Sequence, residues 1–199
     1  MEDILYRFPK EKDASWNSYS RQLERFRIIK HLLAPGSVGA EIGVYKGGFA
    51  EFLKTRTKLL YLVDPWYRLT PFWGGERTSG MSSVSALINI LSVYREEIES
   101  GQIMVVPDFG VSFLKECPRS YFDWIYLDAS HKYDDTLAEI EAAARSIKSG
   151  GILVGDDYDK DPASKQYGVY RAVGEFLRRN RNCELVLDKG RQWAVSIQH

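Results

Sequence analysis

A chain of 199 residues suits one domain around a single substantial core. Apolar residues make up 44% and charged residues 27%, an ordinary composition for a water-soluble domain, and 27 basic side chains balance 27 acidic ones. The zero formal charge and the lack of a polybasic run argue against nucleic acid or a membrane surface as partner, and apolar runs such as Ile103–Val106 are far too short to span a bilayer.

The start, Met1-Glu2-Asp3-Ile4-Leu5-Tyr6-Arg7, lacks the basic cluster and long apolar run of a secretory leader. Cys117 and Cys183 form no CxxC and read as thiols in a reducing compartment, so a cytoplasmic location is expected. Three histidines without paired Cys/His spacing argue against a zinc site. Residues 1–14 are polar and contain Pro9, which predicts an irregular arm. Over residues 15–33, Trp16, Tyr19, Leu23, Phe26, Ile29 and Leu33 recur at helical spacing before Pro35-Gly36. This arm and helix (1–34) lead into the main domain (35–199), the whole forming one globular unit.

Val38-Gly39-Ala40-Glu41-Ile42-Gly43 reads as a buried strand running into a glycine turn, followed by a helix over 49–56. Leu59-Leu60-Tyr61-Leu62-Val63-Asp64 is a second strand, apolar until its last residue, the pattern of a parallel strand covered on both faces. Residues 65–81 form a loop rich in aromatics and glycine, and Ser82 or Ser83 caps a helix through Ile98. A third strand at Ile103–Val106 is closed by Pro107-Asp108, and a short helix runs through Leu114. A fourth strand covers 122–128. Tyr133, Leu137, Ile140, Ala144 and Ile147 mark one face of the next helix, which Gly150-Gly151 is expected to end. A fifth strand at 152–155 stops at Asp156-Asp157. A helix over 169–179 and a hairpin around Lys189-Gly190 complete the chain. Strands alternating with helices predict an α/β, Rossmann-like, doubly wound parallel sheet.

In such sheets ligands bind beyond the carboxyl ends of the strands, at the switch point. Glu41-Ile42-Gly43-Val44-Tyr45-Lys46-Gly47-Gly48 falls there, and Asp64, about 20 residues after Gly43, ends the second strand where an acid can bond a ribose diol. A dinucleotide enzyme is the natural rival, but its G-x-G-x-x-G loop receives a pyrophosphate. Glu41, two residues before Gly43, repels a pyrophosphate and can pair with the cationic end of a sulfonium amino acid.

Glu41-x-Gly43-x-x-x-Gly47 resembles motif I of the class I S-adenosylmethionine-dependent methyltransferases, and the order of elements resembles that family over about residues 35–197. The resemblance implies a seven-stranded sheet in order 3-2-1-4-5-7-6 with the last strand antiparallel. It implies that Glu41, Gly43, Tyr45 and Gly47 bind the methionine end of S-adenosylmethionine and that Asp64 holds the ribose. Asp108 and Phe109 would border the adenine. Trp66 is either a further cofactor neighbour or plain loop packing.

Asp128 ends the fourth strand, and Asp156 and Asp157 end the fifth. Adjacent strands lie about 4.8 Å apart, so three carboxylates are expected to converge. Such a cluster is costly unless a cation or shared protons neutralise it, and hard oxygen donors suit Mg²⁺, Ca²⁺ or Mn²⁺. The plainer alternative has Asp157 capping the following turn and only Asp128 or Asp156 facing a ligand.

Asp128-Ala129-Ser130-His131-x-Tyr133, with Gly150 to Tyr158 and Gly168-Val169-Tyr170-Arg171-Ala172-Val173, resembles the metal-dependent O-methyltransferases of antibiotic sugars. Macrocin O-methyltransferase and the cephalosporin hydroxylase-like proteins belong to that circle, with catechol O-methyltransferase a more distant parallel. Many of these relatives carry Asp-Gly-Asp-His where this chain has Asp-Ala-Ser-His. Ser130 therefore stands where some relatives have a proposed acidic base, and the catalytic reading shifts to His131 beside Asp128. The alternative reading makes His131 a helix-entry residue.

The resemblance thus implies transfer of the sulfonium methyl to a small hydroxylated acceptor, a sugar, phenol or natural product. A divalent cation, Mg²⁺ foremost, would sit on Asp128, Asp156 and Asp157. The length and aromatic content of the loops at 66–81 and 158–167 point to lids over the acceptor, with a packed lid that makes no ligand contact as the alternative. A homo-oligomer is compatible with the sequence. The rival readings are an NAD-dependent oxidoreductase and a donor-binding module without transferase activity.

Overall fold

The computed structural model describes residues 18–66 and 83–199. The expected arm, the start of the first helix with Trp16, and the loop aromatics Tyr67, Phe72 and Trp73 lie outside these residues.

Helix α1 (Tyr19–Ile29) buries Gln22, Arg25, Phe26 and Ile29, an i, i+3, i+4, i+7 stripe. That stripe is rotated from the purely apolar face seen in the sequence: Leu23 is only half-buried, and two polar residues point inward. Strand β1 (Ser37–Ile42) is buried at all six positions, as a central parallel strand must be. Helix α2 (Ala50–Leu53) continues as a 3-10 turn (Lys54–Arg56) into β2 (Thr57–Val63).

The single helix expected through Ile98 is two, α3 (Ser83–Val93) and α4 (Arg95–Glu99). They part at Tyr94, whose φ of −100° and ψ of 20° leave the helical region. The Tyr94 hydroxyl donates to the Gly47 carbonyl at 2.6 Å, so the break anchors the glycine turn from behind. β3 (Ile103–Val106), α5 (Gly110–Glu116) and β4 (Phe122–Leu127) follow.

Helix α6 (Tyr133–Ser146) ends before the glycines, and β5 (Ile147–Gly155) runs through them. Ile147 continues the helical apolar phase, but its backbone is extended and it pairs with Phe122. Gly150, at φ +82°, lies where the ladder shifts register between Phe122 and Trp124, so the glycines serve an irregularity inside a strand rather than a helix stop. α7 (Tyr167–Arg179) and the antiparallel pair β6 (Glu184–Lys189) and β7 (Gln192–Ser196) close the fold.

The seven strands lie in the order β3-β2-β1-β4-β5-β7-β6, with only β7 antiparallel to its β5 neighbour and to β6. Alternate strand residues feed two cores. Leu60, Leu62, Trp124 and Tyr126 pack with α1, α2 and α3 on one face. Ile42, Ile125, Leu127 and Leu153 pack with α5, α6 and α7 on the other. The order and the single reversed strand are those that the family resemblance implied.

The chain order reverses between β1 and β4, and their carboxyl ends touch. Asp128 N–H donates to the Ile42 carbonyl at 2.8 Å, and Gly43 N–H to that of Val63 at 2.9 Å. Gly43 has φ +88°, and a Cβ there would lie 2.2 Å from the Asp128 carbonyl oxygen, so only glycine lets the two strand ends meet. Among the described residues no helix is long and apolar enough to cross a membrane.

Candidate active site

A cavity of about 630 Å³ opens at this switch point, within the usual range for small-molecule sites. Glu41, Gly43, Tyr45 and Asp64 line one side; Asp128, His131, Asp156 and Asp157 line the other.

On the first side, β2 and the glycine turn are tied together by Asp64. One carboxylate oxygen accepts the Val44 N–H at 3.0 Å and the Tyr45 N–H at 2.9 Å. Burial pushes the Asp64 carboxyl up to about 6, although those two N–H groups pull it down. Tyr45 sits at φ +48°, unusual for a residue with a side chain. The Asp64 bond holds its N–H, and the Trp66 indole N–H donates to its carbonyl at 2.8 Å. Trp66 itself is completely buried in the core and does not line the cavity.

Gly47 lies behind the turn, where a Cβ would come 2.9 Å from Ile90. Asp108 and Phe109 stand beyond β3, the Asp108 carboxylate accepting the Phe109 N–H at 2.8 Å, and neither lines this cavity.

Glu41 lines the cavity floor at 2% exposure, and its Oε2 has no hydrogen-bond partner among the described residues. Burial first, and then the nearby charge of Asp128, holds its carboxyl well above the ordinary range. A buried carboxylate oxygen without a donor is costly, and a bound ammonium or sulfonium relieves that cost. The residues present therefore fit the cationic methionine end of S-adenosylmethionine.

The second side differs from the expected acidic trio. The Arg25 guanidinium, from α1, reaches Asp128 Oδ2 at 2.5 Å and Asp156 Oδ2 at 2.9 Å. The other Asp156 oxygen accepts from the Gln192 amide. Burial raises the Asp156 carboxyl, and Arg25 pulls it back. Asp157, at φ +60°, is turned away from Asp156 towards different partners. His131 Nε2 lies 2.8 Å from its Oδ2, and Arg191 2.9 Å from its Oδ1. The hydrogen bond to Asp157 raises the His131 pKa against the effect of burial. His131 and Arg191 in turn lower that of Asp157, although burial acts the other way.

Among the described residues the donor atoms close enough to share a metal ion belong to Asp128, His131 and Asp157, all within 4.8 Å of one another. All three expected acids line the cavity, but His131 stands in the place of Asp156 in this group, because Arg25 and Gln192 occupy Asp156. Ser130 serves the entry to α6: its hydroxyl donates to Asp135 at 3.0 Å and accepts the Lys132 N–H at 3.3 Å.

Four further residues complete the site without having been singled out in the sequence. Arg25 and Gln192 hold the acids, Arg191 holds Asp157, and Glu139 is buried with its carboxyl pushed up to about 7 by that burial. The one legible signal was the inward polar pair Gln22 and Arg25 on the phase of Phe26 and Ile29.

A family profile described as a methyltransferase domain matches residues 40–158, which span β1 to the acids after β5. The chain belongs to this family, of class I S-adenosylmethionine-dependent methyltransferases. The dinucleotide alternative falls with that membership. No curated relative matches the sequence.

Solved structures similar to this methyltransferase share its fold at low identity. A Corynebacterium glutamicum protein has a TM-score of 0.64 at 14% identity, with 95% of this chain and 92% of that chain covered. The O-methyltransferase NovP has a TM-score of 0.59 at 16% identity, covering 92% and 81%. The N-methyltransferase NodS from Bradyrhizobium japonicum has a TM-score of 0.59 at 15% identity, covering 94% and 99%.

Proposed function

We propose that this methyltransferase methylates a hydroxyl of a small acceptor, a sugar, phenol or natural product, with His131 as general base. The observation that carries the reading is the His131–Asp157 pair, 2.8 Å apart, on the cavity wall across from the Glu41 and Asp64 side. Asp157 binds one ring nitrogen and leaves Nδ1 to take a proton. Arg191 fixes Asp157 from its other oxygen, which keeps the imidazole in one orientation. S-adenosylmethionine supplies an electrophilic methyl group on a positively charged sulfur. Glu41 holds the donor's cationic end, and the turn secured by Asp64 shapes the wall beside it. His131 accepts the acceptor's proton as the oxygen–carbon bond forms and the carbon–sulfur pair returns to sulfur. Holding both reactants in one cavity supplies much of the rate. The family resemblance of Asp128-Ala129-Ser130-His131 and the likeness to NovP support oxygen as the methylated atom; the likeness to NodS makes nitrogen the outcome to test against.

The distances among Asp128, His131 and Asp157 favour a second reading, in which these residues hold a divalent cation. Such an ion would lower the acceptor's pKa, and His131 would then be a ligand rather than a base. The test is a panel of hydroxylated and amino acceptors with labelled methyl donor, with the product bond assigned by NMR. O-methyl product that forms at full rate in a strong chelator, with turnover lowered roughly 10²-fold by His131→Ala, supports the base reading. Loss of activity in chelator, restored by Mg²⁺ or Mn²⁺, moves His131 to the metal. Exclusive N-methylation refutes the proposed acceptor class.

A further inference from the structure

The acid cluster already contains a cation, and it comes from outside the matched family region. Arg25 lies on α1, more than a hundred residues before Asp128 and Asp156, and only 7% of its side chain is exposed. Its donors are almost fully used: Nη1 bonds Gln22 at 3.0 Å, and Nε and Nη2 bond the Tyr126 hydroxyl at 3.2 and 2.6 Å. Nη2 also faces Asp128 and Asp156. The guanidinium lies 4.8 Å from the centre of the Phe49 ring. Tyr126 donates onward to Gln192 at 2.8 Å, and Gln192 donates to the second oxygen of Asp156. Arg21, 40% exposed, stands farther off at 4.0 Å from the same Asp156 oxygen, and the buried network fixes the Arg25 guanidinium between the two carboxylates.

A hard divalent ion shared by those same two oxygens would sit about 2.1–2.5 Å from each. Nη2 stands at 2.5 and 2.9 Å from them, so ion and guanidinium claim one position and repel each other. We propose that Arg25 is the resident counter-cation of this site: it takes the place between Asp128 and Asp156 that a divalent metal would take. Half of the pair's charge is then offset without metal, and removing Arg25 opens a divalent-cation position between Asp128 and Asp156 that the guanidinium fills in the wild type. This holds whichever atom the enzyme methylates, because it concerns charge in the unliganded protein. Arg25 is in this role a positioning residue, acting through the two acids.

Mn²⁺ binding to the full chain, followed by electron paramagnetic resonance, tests the proposal without any acceptor. Arg25→Met should bind Mn²⁺ at least about tenfold more tightly than the wild type, because two buried carboxylates lose their partner. Adding Asp156→Asn to Arg25→Met should abolish that gain. Whatever Mn²⁺ the wild type binds, through Asp128, His131 and Asp157, should persist in Asp156→Asn alone, weakened by the loss of a near and little-screened charge that supplies no ligand atom. The proposal is overturned by wild-type binding that Asp156→Asn abolishes, by a folded Arg25→Met protein with no gain, or by a gain that survives Asp156→Asn. Should Arg25→Met be unstable without a cation, millimolar Mn²⁺ should raise its melting temperature by several degrees more than it raises that of the wild type, as an added native-state site requires. Equal or absent shifts in the two proteins overturn the proposal as well.

Discussion

Replacing Asp157 with asparagine tests the His131 pair while keeping the shape of the site. The substitution removes the carboxylate 2.8 Å from His131 Nε2 and the partner of Arg191. In the wild type this contact raises the His131 pKa above the ordinary imidazole value of 6.5, so the variant's value should fall towards that figure. Each unit of that fall corresponds to about 1.4 kcal/mol of differential interaction. Breaking a fully buried pair costs roughly 3–5 kcal/mol, but the His131 side chain is 36% exposed, and solvent screening brings the pair nearer about 1 kcal/mol.

The sign follows from the two shifts. A raised His131 contributes stability that is present below its unfolded pKa and lost as pH rises through its folded one. A lowered Asp157 contributes stability that is present above its unfolded pKa and lost as pH falls through its folded one. Both operate at about pH 5.5, between the reference values of the two groups. Urea denaturation should therefore show a larger deficit for Asp157→Asn at about pH 5.5 than at about pH 8.5. NMR titration of the ring protons, with His131→Gln assigning the signal among the three histidines, should show the His131 midpoint moving down. In the rate profile, the rise in kcat/KM with pH should shift down with it, and the plateau should drop about tenfold or more as the ring loses its orientation. An unmoved midpoint, together with a deficit equal at both pH values, would refute the pairing.

Two other substitutions probe the donor side. Glu41→Gln removes a buried carboxyl whose Oε2 has no partner among the described residues and which would ionise against the donor's cation, so calorimetry should show S-adenosylmethionine affinity falling about tenfold or more while the melting temperature holds or rises; unchanged affinity would dissociate Glu41 from the donor. Gly43→Ala forces a Cβ to 2.2 Å from the Asp128 carbonyl at a φ of +88°, which should destabilise the protein by roughly 1–3 kcal/mol or more and abolish donor binding. A stable Gly43→Ala protein with normal affinity would show that the strand ends need not meet.

The alternation of strands and helices, the glycine turn after β1 and the acids at three strand ends were legible in the residues themselves, because buried parallel strands and tight turns restrict local composition. Element boundaries were less so. Ile147 keeps the apolar phase of α6, and only its pairing with Phe122 shows that β5 has begun. Likewise Tyr94 looks like one more helical residue until its hydroxyl is seen on the Gly47 carbonyl. For Asp64 the position at the end of β2 was readable, but not that one of its oxygens braces Val44 and Tyr45.

The sequence alone determined the family and the sheet, since motif I and its strand context are local in the chain. Only the tertiary structure decided what each acid does. Asp156 and Asp157 are neighbours of identical chemistry, yet one faces Arg25 and Gln192 and the other His131 and Arg191. The left-handed backbone of Asp157 turns the two side chains apart, and Arg25 arrives from a helix at the far end of the chain. Neither the sign of a neighbouring charge nor its distance is encoded in local spacing, and those two quantities settle which carboxylate can hold a histidine and which is already neutralised.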